Sequence, residues 1–516
     1  MPTWEELGEA AKLVNTEKLE PRAYQINISK GIMRGPNSLV ILPTGLGKTL
    51  IAVFAIASAL SKGKKAVILA PTKPLSEQHY QSLSNLLNIE KDGILLLTGT
   101  TGTKNRGRLE EDAKVIAATP QTISNDLKAE RFSLQDVGVV VFDECHRAVG
   151  RYAYTYIADE CKLRGVQLVG LTASPGSNRK KIDALITSMG IESIEIRITT
   201  DDDVMAYVMD KSTHVIHVDK EKTMDSILAS LKYLIDEHLA KLHQYGLSPF
   251  SRYDNMAKGK VLQIGSSIDK LQSSNYKYMA MYNYVFLLHL SHAYDLLATE
   301  GFHPFVSYFD ALSARENKSR SLQSILNNSV VIKSVASAKS ALKDGVEHPK
   351  IFKIIDLMTT SLKGKTVMVF AQYRSTIKKI VELLNEYGIS AMGFVGKKDG
   401  TTQASQKETI ERFREGGFKV LVATSIGEEG LDIPSVDAVI FYEPIPNEIR
   451  NIQRRGRAGR MRVGEIYMLV TRGTKDEIYL YISRQREKKM YELVERARLD
   501  LERGSSRYNR KQARLA

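Results

Sequence analysis

With two cysteines among 516 residues, Cys145 and Cys161, the chain lacks the material for a disulfide framework or a cysteine-rich zinc site. Both thiols are expected to be free. Long apolar runs are absent as well: the longest, Leu50 to Leu60 with Ser58 inside it, is about half of the ~20 residues a membrane helix needs, so no membrane passage is expected. Met1 to Glu20 carries several acids and no basic start followed by an apolar stretch, so it does not read as a secretory leader. A reducing cytoplasm fits these absences. No internal repeat of solenoid period is found. What is present is an ordinary globular composition, 43% hydrophobic and 26% charged, over a length that predicts three or four folding units. The net charge of +14 points to an anionic partner such as nucleic acid.

From Asn37 onward, short β-branched runs alternate with segments of helical period. The runs are Leu39 to Leu42, Ala66 to Ala70, Val115 to Ala118, Val137 to Phe142 and Gln167 to Leu171. Continuous apolar strands separated by helices predict a parallel sheet covered on both faces. A first α/β domain over residues 1–200 follows. The alternation returns after His348, at Thr366 to Ala371, Ser390 to Phe394, Lys419 to Ala423, Ala438 to Tyr442 and Glu465 to Val470, predicting a second α/β domain over 346–490. Between them, residues 201–345 have helical length and few strand signals, and read as an all-helical insertion. Its sixteen basic residues balance sixteen acidic ones, so the excess charge lies in the two α/β units and a basic tail over 491–516. From Arg484 the chain is expected to be helical as far as about Arg503 and then a frayed basic end, its charge reading equally as a solvated helix face and as a nucleic-acid contact.

The segment Pro43-Thr44-Gly45-Leu46-Gly47-Lys48-Thr49 joins a strand to an apolar helix. Glycines there let backbone amides approach phosphate oxygens, the helix N-terminus adds positive potential, Lys48 reaches the β/γ-phosphates and the Thr49 hydroxyl ligates Mg²⁺. Leu42 stands where the general phosphate-loop pattern has its first glycine, so on this segment alone a glycine turn with a solvated lysine remains open. The strand Val137 to Phe142 delivers Asp143-Glu144-Cys145-His146 at its carboxyl end, where ligands of open α/β sheets sit. Asp143 suits Mg²⁺, opposite Thr49, and Glu144 suits activation of the attacking water. An Asp-Glu pair after a strand also serves as a helix cap; its coupling to the loop at 43–49 favours catalysis. Adjacent Cys145 and His146 do not converge on a metal and read as coupling or packing residues. The run Gln453-Arg454-Arg455-Gly456-Arg457-Ala458-Gly459-Arg460 makes no sense as core and suits guanidiniums aimed at a multiply charged anion, either a γ-phosphate or a nucleic-acid backbone.

Together these motifs resemble those of a superfamily 2 DExH/D helicase, two RecA-like parallel-sheet domains with a helical domain inserted between them. The resemblance implies an ATP- and Mg²⁺-dependent, nucleic-acid-stimulated ATPase. It assigns Arg22 and Gln25 to adenine; Thr44, Gly45, Gly47, Lys48 and Thr49 to motif I; Asp143 to His146 to motif II; and Thr172-Ala173-Ser174-Pro175 to motif III. Thr424, Gly427, Gly430, Leu431 and Asp432 match motif V, with Gly430 and Asp432 at the nucleotide. Gln453 to Arg460 match motif VI, with Gln453 in the catalytic set and the arginine fingers at Arg457 and Arg460. Nucleic-acid contacts carry over to Thr72, Lys73, Thr98, Gly99, Thr119, Gln121, Phe370, Gln372 and Thr424, a sequence-independent grip on one strand. Thr98 and Gly99 fit an ordinary strand-end turn as well, and Tyr373 beside Gln372 equally reads as core.

The insertion narrows the resemblance to the group of the Fanconi anaemia group M translocase, archaeal Hef, Dicer and the RIG-I-like receptors, and three stretches, the segment ending at Gln25, the loop from Pro43 to Thr49 and Thr424 to Pro434, look closest to the helicase part of Hef. That implies DNA, forked or branched, as partner in the repair of stalled replication forks, a cytoplasmic, nucleoid-associated location and contacts with sliding-clamp or repair proteins. An RNA-directed ATPase of the Dicer or RIG-I type and a non-catalytic clamp on branched nucleic acid are the alternatives. No Glu-Arg-Lys nuclease signature precedes Ala516, so nuclease activity is not expected. Tyr276, Tyr278, Tyr282 and Tyr284 in the insertion are expected to be core rather than base-stacking residues.

Overall fold

The computed structural model describes residues 2–17, 19–99, 112–150, 152–198, 201–205, 207, 212–254, 256–395, 403–424, 436–444 and 464–504. Two parallel sheets organise the chain. The first contains β1 (Ser38–Ile41), β2 (Lys65–Leu69), β3 (Ile94–Leu97), β4 (Val115–Ala118), β5 (Val137–Asp143), β6 (Gln167–Thr172) and β7 (Ser193–Ile196), in the order β3-β4-β2-β5-β6-β1-β7. The second holds β8 (Thr213–Val218), β9 (Val367–Phe370), β10 (Ala391–Phe394), β11 (Val420–Ala423), β12 (Ala438–Phe441) and β13 (Glu465–Thr471), in the order β10-β11-β9-β12-β13-β8. Every strand anticipated from its apolar run is formed within one residue of its expected ends. Strands β1, β2, β4 and β5 are buried along nearly their whole length, which is why they read as continuous apolar runs rather than alternating ones.

Three strands escaped that reading. Ile94–Leu97 and Ser193–Ile196 are short edge strands, and Thr213–Val218 carries Thr and His on an exposed side of β8. The last one changes the domain boundary. β8 pairs with β13 along its full length, from Thr213↔Ile466 to Val218↔Thr471, so the second sheet takes its edge strand from a segment expected to be helical. The insertion proper comprises the helices Lys222–Gln244, Lys258–Asp269, Asn275–Glu300, Phe302–Ser313, Arg320–Leu326 and Ser329–Lys343 around one apolar core. Within it, Tyr282 and Tyr284 pack against that core, as expected, whereas Tyr276 and Tyr278 do not: Tyr278 is 71% exposed. They occupy the first turn of Asn275–Glu300, where Tyr276 meets the end of the neighbouring helix, its hydroxyl donating to the Tyr245 carbonyl at 2.5 Å and its ring edge-on to that of Tyr245.

The expected boundary at 490 is also displaced. One unbroken helix runs Lys475–Glu502, leaving the second sheet after β13 and returning to the first domain, where Met490, Val494 and Ala497 are fully buried in the core that Cys161, Ile182 and Met189 belong to. Arg179 Nη2 donates to Asp500 Oδ2 at 2.7 Å across the same contact. Solvated charge on one face hid an apolar stripe on the other, so the segment read as a tail is a strap between the two sheets. No helix among the described residues is long and apolar enough to cross a membrane.

Candidate nucleotide and nucleic-acid site

In a doubly wound sheet the loops that follow the strands share one edge, and the expected site residues of the first domain lie at or after strand ends there, apart from Arg22 and Gln25, which precede β1. The strand order divides that edge. β1, β5 and β6 are neighbours and supply Lys48, Asp143 and Thr172; β2, β4 and β3 are neighbours and supply Thr72, Thr119 and Thr98. The residues expected at the nucleotide and those expected at the nucleic-acid strand are therefore sorted into two adjoining halves although they alternate along the chain.

The loop at 43–49 fits phosphate. Gly45 and Gly47 adopt left-handed φ of 93° and 78°, and Gly47 serves as N-cap of the apolar helix Lys48–Ser61, whose first amides are open to an anion. A Cβ at residue 47 would meet Gln25 Nε2 and displace that side chain, on top of the strain of its positive φ. Leu42, the departure from the general pattern, is fully buried; its amide donates to the Thr172 carbonyl, extending the β1–β6 ladder, and its φ is not positive. Glycine is not required there. The Leu42 carbonyl instead accepts from Lys48 Nζ at 2.9 Å, which folds the lysine over the loop. Gln25 is buried with Nε2 donating to the Leu46 carbonyl at 3.1 Å and Oε1 left without a partner, an acceptor available to an amino group. Arg22 Nη1 donates to the Tyr24 hydroxyl at 3.3 Å and its guanidinium lies over the Tyr207 ring.

Asp143 ends β5. Its Oδ1 accepts the Glu144 amide at 3.0 Å and its Oδ2 lies 2.8 Å from His79 Nε2. Burial disfavours the charged carboxylate, but the hydrogen bond and charge of His79, the charge of Lys48 and the Glu144 amide outweigh it and hold the carboxyl below its ordinary range. An ionised carboxylate, together with the hydroxyl of Thr49 next to Lys48, would offer the oxygen donors that a hard divalent cation takes. Glu144 sits at φ 49°, ψ 45°, a left-handed backbone that turns its side chain away from the strand axis. Its buried Oε2 makes no hydrogen bond and lies 3.2 Å from His146 Nδ1, which is 3.1 Å from Thr172 Oγ1. Thr172 Oγ1 in turn accepts the Ser174 amide at 3.1 Å, and Ser174 Oγ donates to Met490 Sδ of the strap helix at 2.8 Å. His146 thus joins motif II to motif III. Cys145 is buried with its thiol pushed well above its usual pKa, chiefly by burial; a Cβ on Gly170 would come within 3.0 Å of its Sγ, so it is a packing residue. The Tyr154 hydroxyl lies within hydrogen-bond distance of the Asp143 and Leu69 carbonyls and ties β5 to β2.

On the other half of the edge, Thr72 caps the helix Lys73–Leu86 with its buried Oγ1 unpartnered, and Lys73 Nζ is 3.8 Å from Glu77 Oε1. Thr119 caps Pro120–Lys128 and Gln121 is exposed, while Gly99 is exposed and Thr98 buried. In the second domain Gln372 is exposed and Thr424 is buried with an unpartnered hydroxyl. Phe370 is a correction: it is 0% exposed, stacked on Phe441 at a centroid distance of 5.9 Å, so its side chain is core and only the turn it precedes reaches the edge. Tyr373 is half-buried as cap of Arg374–Glu386. Gly427, Gly430, Leu431, Asp432, Gln453, Arg457 and Arg460 lie outside the described residues. Sequence reasoning missed His79, Tyr154 and Met490. For His79 a signal existed: it shares the buried face of its helix with Ser76 and Leu83, a polar residue on an apolar stripe.

A phosphate loop after β1, an acid pair after β5 and a second parallel sheet strapped to the first define a two-domain P-loop nucleotide-binding protein. The DEAD/DEAH box helicase family matches residues 22–182 and the helicase conserved C-terminal domain family residues 349–462, and the Hef helicase domain of Pyrococcus furiosus, a solved structure, superposes with a TM-score of 0.73 at 40% identity over 91% of this chain and 100% of that one. The chain belongs to the superfamily 2 helicases, in the group that holds Hef and the Fanconi anaemia group M helicases. A Methanocaldococcus jannaschii protein provisionally named an ATP-dependent RNA helicase is 38% identical over 90% of this chain. An ATP-dependent DNA helicase of Neurospora crassa is 32% identical over 88%, and one of Schizosaccharomyces pombe 30% over 88%. The chain spans 59%, 41% and 57% of those three proteins' lengths.

Proposed function

We propose that this chain is an ATP-dependent DNA helicase or translocase acting on forked or branched DNA, in the repair of stalled replication forks. The observation that carries the reading is the divided edge of the first sheet: Lys48, Asp143 and Glu144 adjoin the row Thr72, Thr98 and Thr119, so that one rigid sheet backs both sites. ATP is the substrate class that a glycine loop, a loop lysine and a buried glutamine acceptor suit. Thr49 and Asp143 would hold a divalent cation, which supplies charge neutralisation on the phosphates. Lys48 releases the Leu42 carbonyl to pair with phosphate oxygens, Glu144 orients and deprotonates water, and Arg457 and Arg460 of the second domain contribute positive charge to the transition state. Hydrogen bonds from Glu144's neighbourhood through His146, Thr172 and Ser174 to the strap helix supply a route by which the two domains sense turnover.

The DNA preference is supported by the fungal relatives, which are named DNA helicases; the archaeal one is named for RNA. Lys48→Ala should abolish ATP hydrolysis and leave strand binding largely intact; normal turnover in that variant would sink the site assignment. ATPase rates with single-stranded, duplex, forked and four-way DNA beside the matching RNAs decide the substrate. Highest stimulation by forked or four-way DNA is expected, and highest stimulation by RNA would transfer the chain to the RNA-directed reading.

A further inference from the structure

Strands β2 and β5 are adjacent, with Leu69 opposite Phe142, and the helix Lys73–Leu86 that leaves β2 packs over β4 and β3 while its His79 reaches back to the carboxyl end of β5. This is where the two halves of the edge meet. Lys73 and the cap Thr72 stand at the helix start, and His79 follows about 9 Å further along the axis. Its Nε2 lies 2.8 Å from Asp143 Oδ2, with side-chain exposures of only 8% and 13%. A carboxylate can only accept, so Nε2 carries the proton in this pair. The Glu144 amide already fixes Oδ1, and the His79 contact fixes the rotation of the carboxylate about its own bond.

The helix is internally braced at the same end: Ser76 Oγ donates to the Thr72 carbonyl at 3.2 Å. Any displacement of Thr72 and Lys73 on binding a phosphodiester is therefore delivered to His79 with little loss, because a hydrogen-bonded helix of this length moves as a rod. We propose that His79 is a positioning residue that couples occupancy of the nucleic-acid half of the edge to the orientation of Asp143, and through it to the affinity for the metal–nucleotide complex. This rests on the reading given under Proposed function. The coupling is reciprocal: nucleotide held at Asp143 must tighten strand binding at Lys73 by the same factor.

The test is equilibrium binding of a fluorescent non-hydrolysable ATP analogue, titrated with Mg²⁺ in the presence and absence of single-stranded DNA, for wild type, His79→Leu and His79→Gln. In the wild type, DNA should lower the Mg²⁺ requirement for nucleotide binding by a factor of about 5 or more. His79→Leu should bring that factor close to one, and His79→Gln, which keeps a donor at similar reach, should restore most of it. The number of DNA-stimulated turnovers should follow the same order, and thermal melts separate this effect from loss of fold. Full coupling in His79→Leu, or no recovery in a folded His79→Gln, would overturn the proposal. Absence of any DNA effect in the wild type would instead overturn the functional reading on which it rests.

Discussion

Glu144 occupies a left-handed backbone conformation that costs a non-glycine residue on the order of 1 kcal/mol, and the stretch around it is held by contacts that repay the cost. The turn points a carboxylate with a buried, unpartnered oxygen toward His146 rather than along the strand. Glu144→Gln keeps that shape and removes the proposed base, so steady-state hydrolysis should fall roughly 10²- to 10⁴-fold while nucleotide affinity is retained. Equal losses in both would contradict the separation of roles between Asp143 and Glu144. At Phe370 the opposite outcome is expected. Phe370→Ala empties a site inside the second sheet's core and should cost about 3 to 5 kcal/mol in denaturant unfolding, with DNA affinity of the folded fraction preserved.

Among elements, the helix Lys475–Glu502 does two jobs on two faces. Its charged face faces solvent, and its apolar stripe of Met490, Val494 and Ala497 enters the first domain's core. Because the helix begins on the second sheet, burial at residue 494 is also a mechanical link between the sheets. Val494→Asp would bury an unpaired charge, so the strap should detach. Limited proteolysis is the measurement: cleavage within 475–502 should be slow in the wild type and rapid in the variant, and equal rates would show that the helix is not held by this stripe.

For the whole molecule, the insertion is joined to the second domain by a buried ionic cluster. Lys350, 0% exposed, pairs with Asp476 at 2.6 Å and donates to the Thr299 carbonyl; Thr376 donates to Glu300, and the Tyr442 hydroxyl to the Glu300 carbonyl. Burial pushes Glu300 up to about 7, against the charge of Lys350, and pushes His348 down to about 3. The raised carboxyl binds its proton more tightly folded than unfolded, so its contribution is present below its unfolded pKa, near 4.5, and is lost as pH rises through 7. The depressed imidazole works the other way, losing its contribution as pH falls from 6.5 toward 3. Between about 4.5 and 6.5 the two oppose each other. Glu300→Gln, which keeps the protonated shape, should therefore be more stable than wild type at pH 8, on the order of 1 to 3 kcal/mol, and lose that advantage by pH 5. Thermal melts at both values check it, and an advantage persisting at pH 5 would contradict the assignment.

The phosphate loop, the acid pair and ten of the strands were legible in the amino-acid sequence because each is local: a buried parallel strand needs an unbroken apolar run, and a phosphate loop needs glycines in order before a helix. What followed from tertiary structure alone is relational. That Asp143 meets His79, that Thr213–Val218 closes the second sheet, that Val494 belongs to the first core and that Phe370 is sealed behind Phe441 all depend on which strands lie side by side. Chain order does not carry that information. β2 and β5 are distant along the chain and adjacent in the sheet, and adjacency, set by how the twisted sheet buries its two faces, is what lets the helix after β2 touch the carboxylate that ends β5.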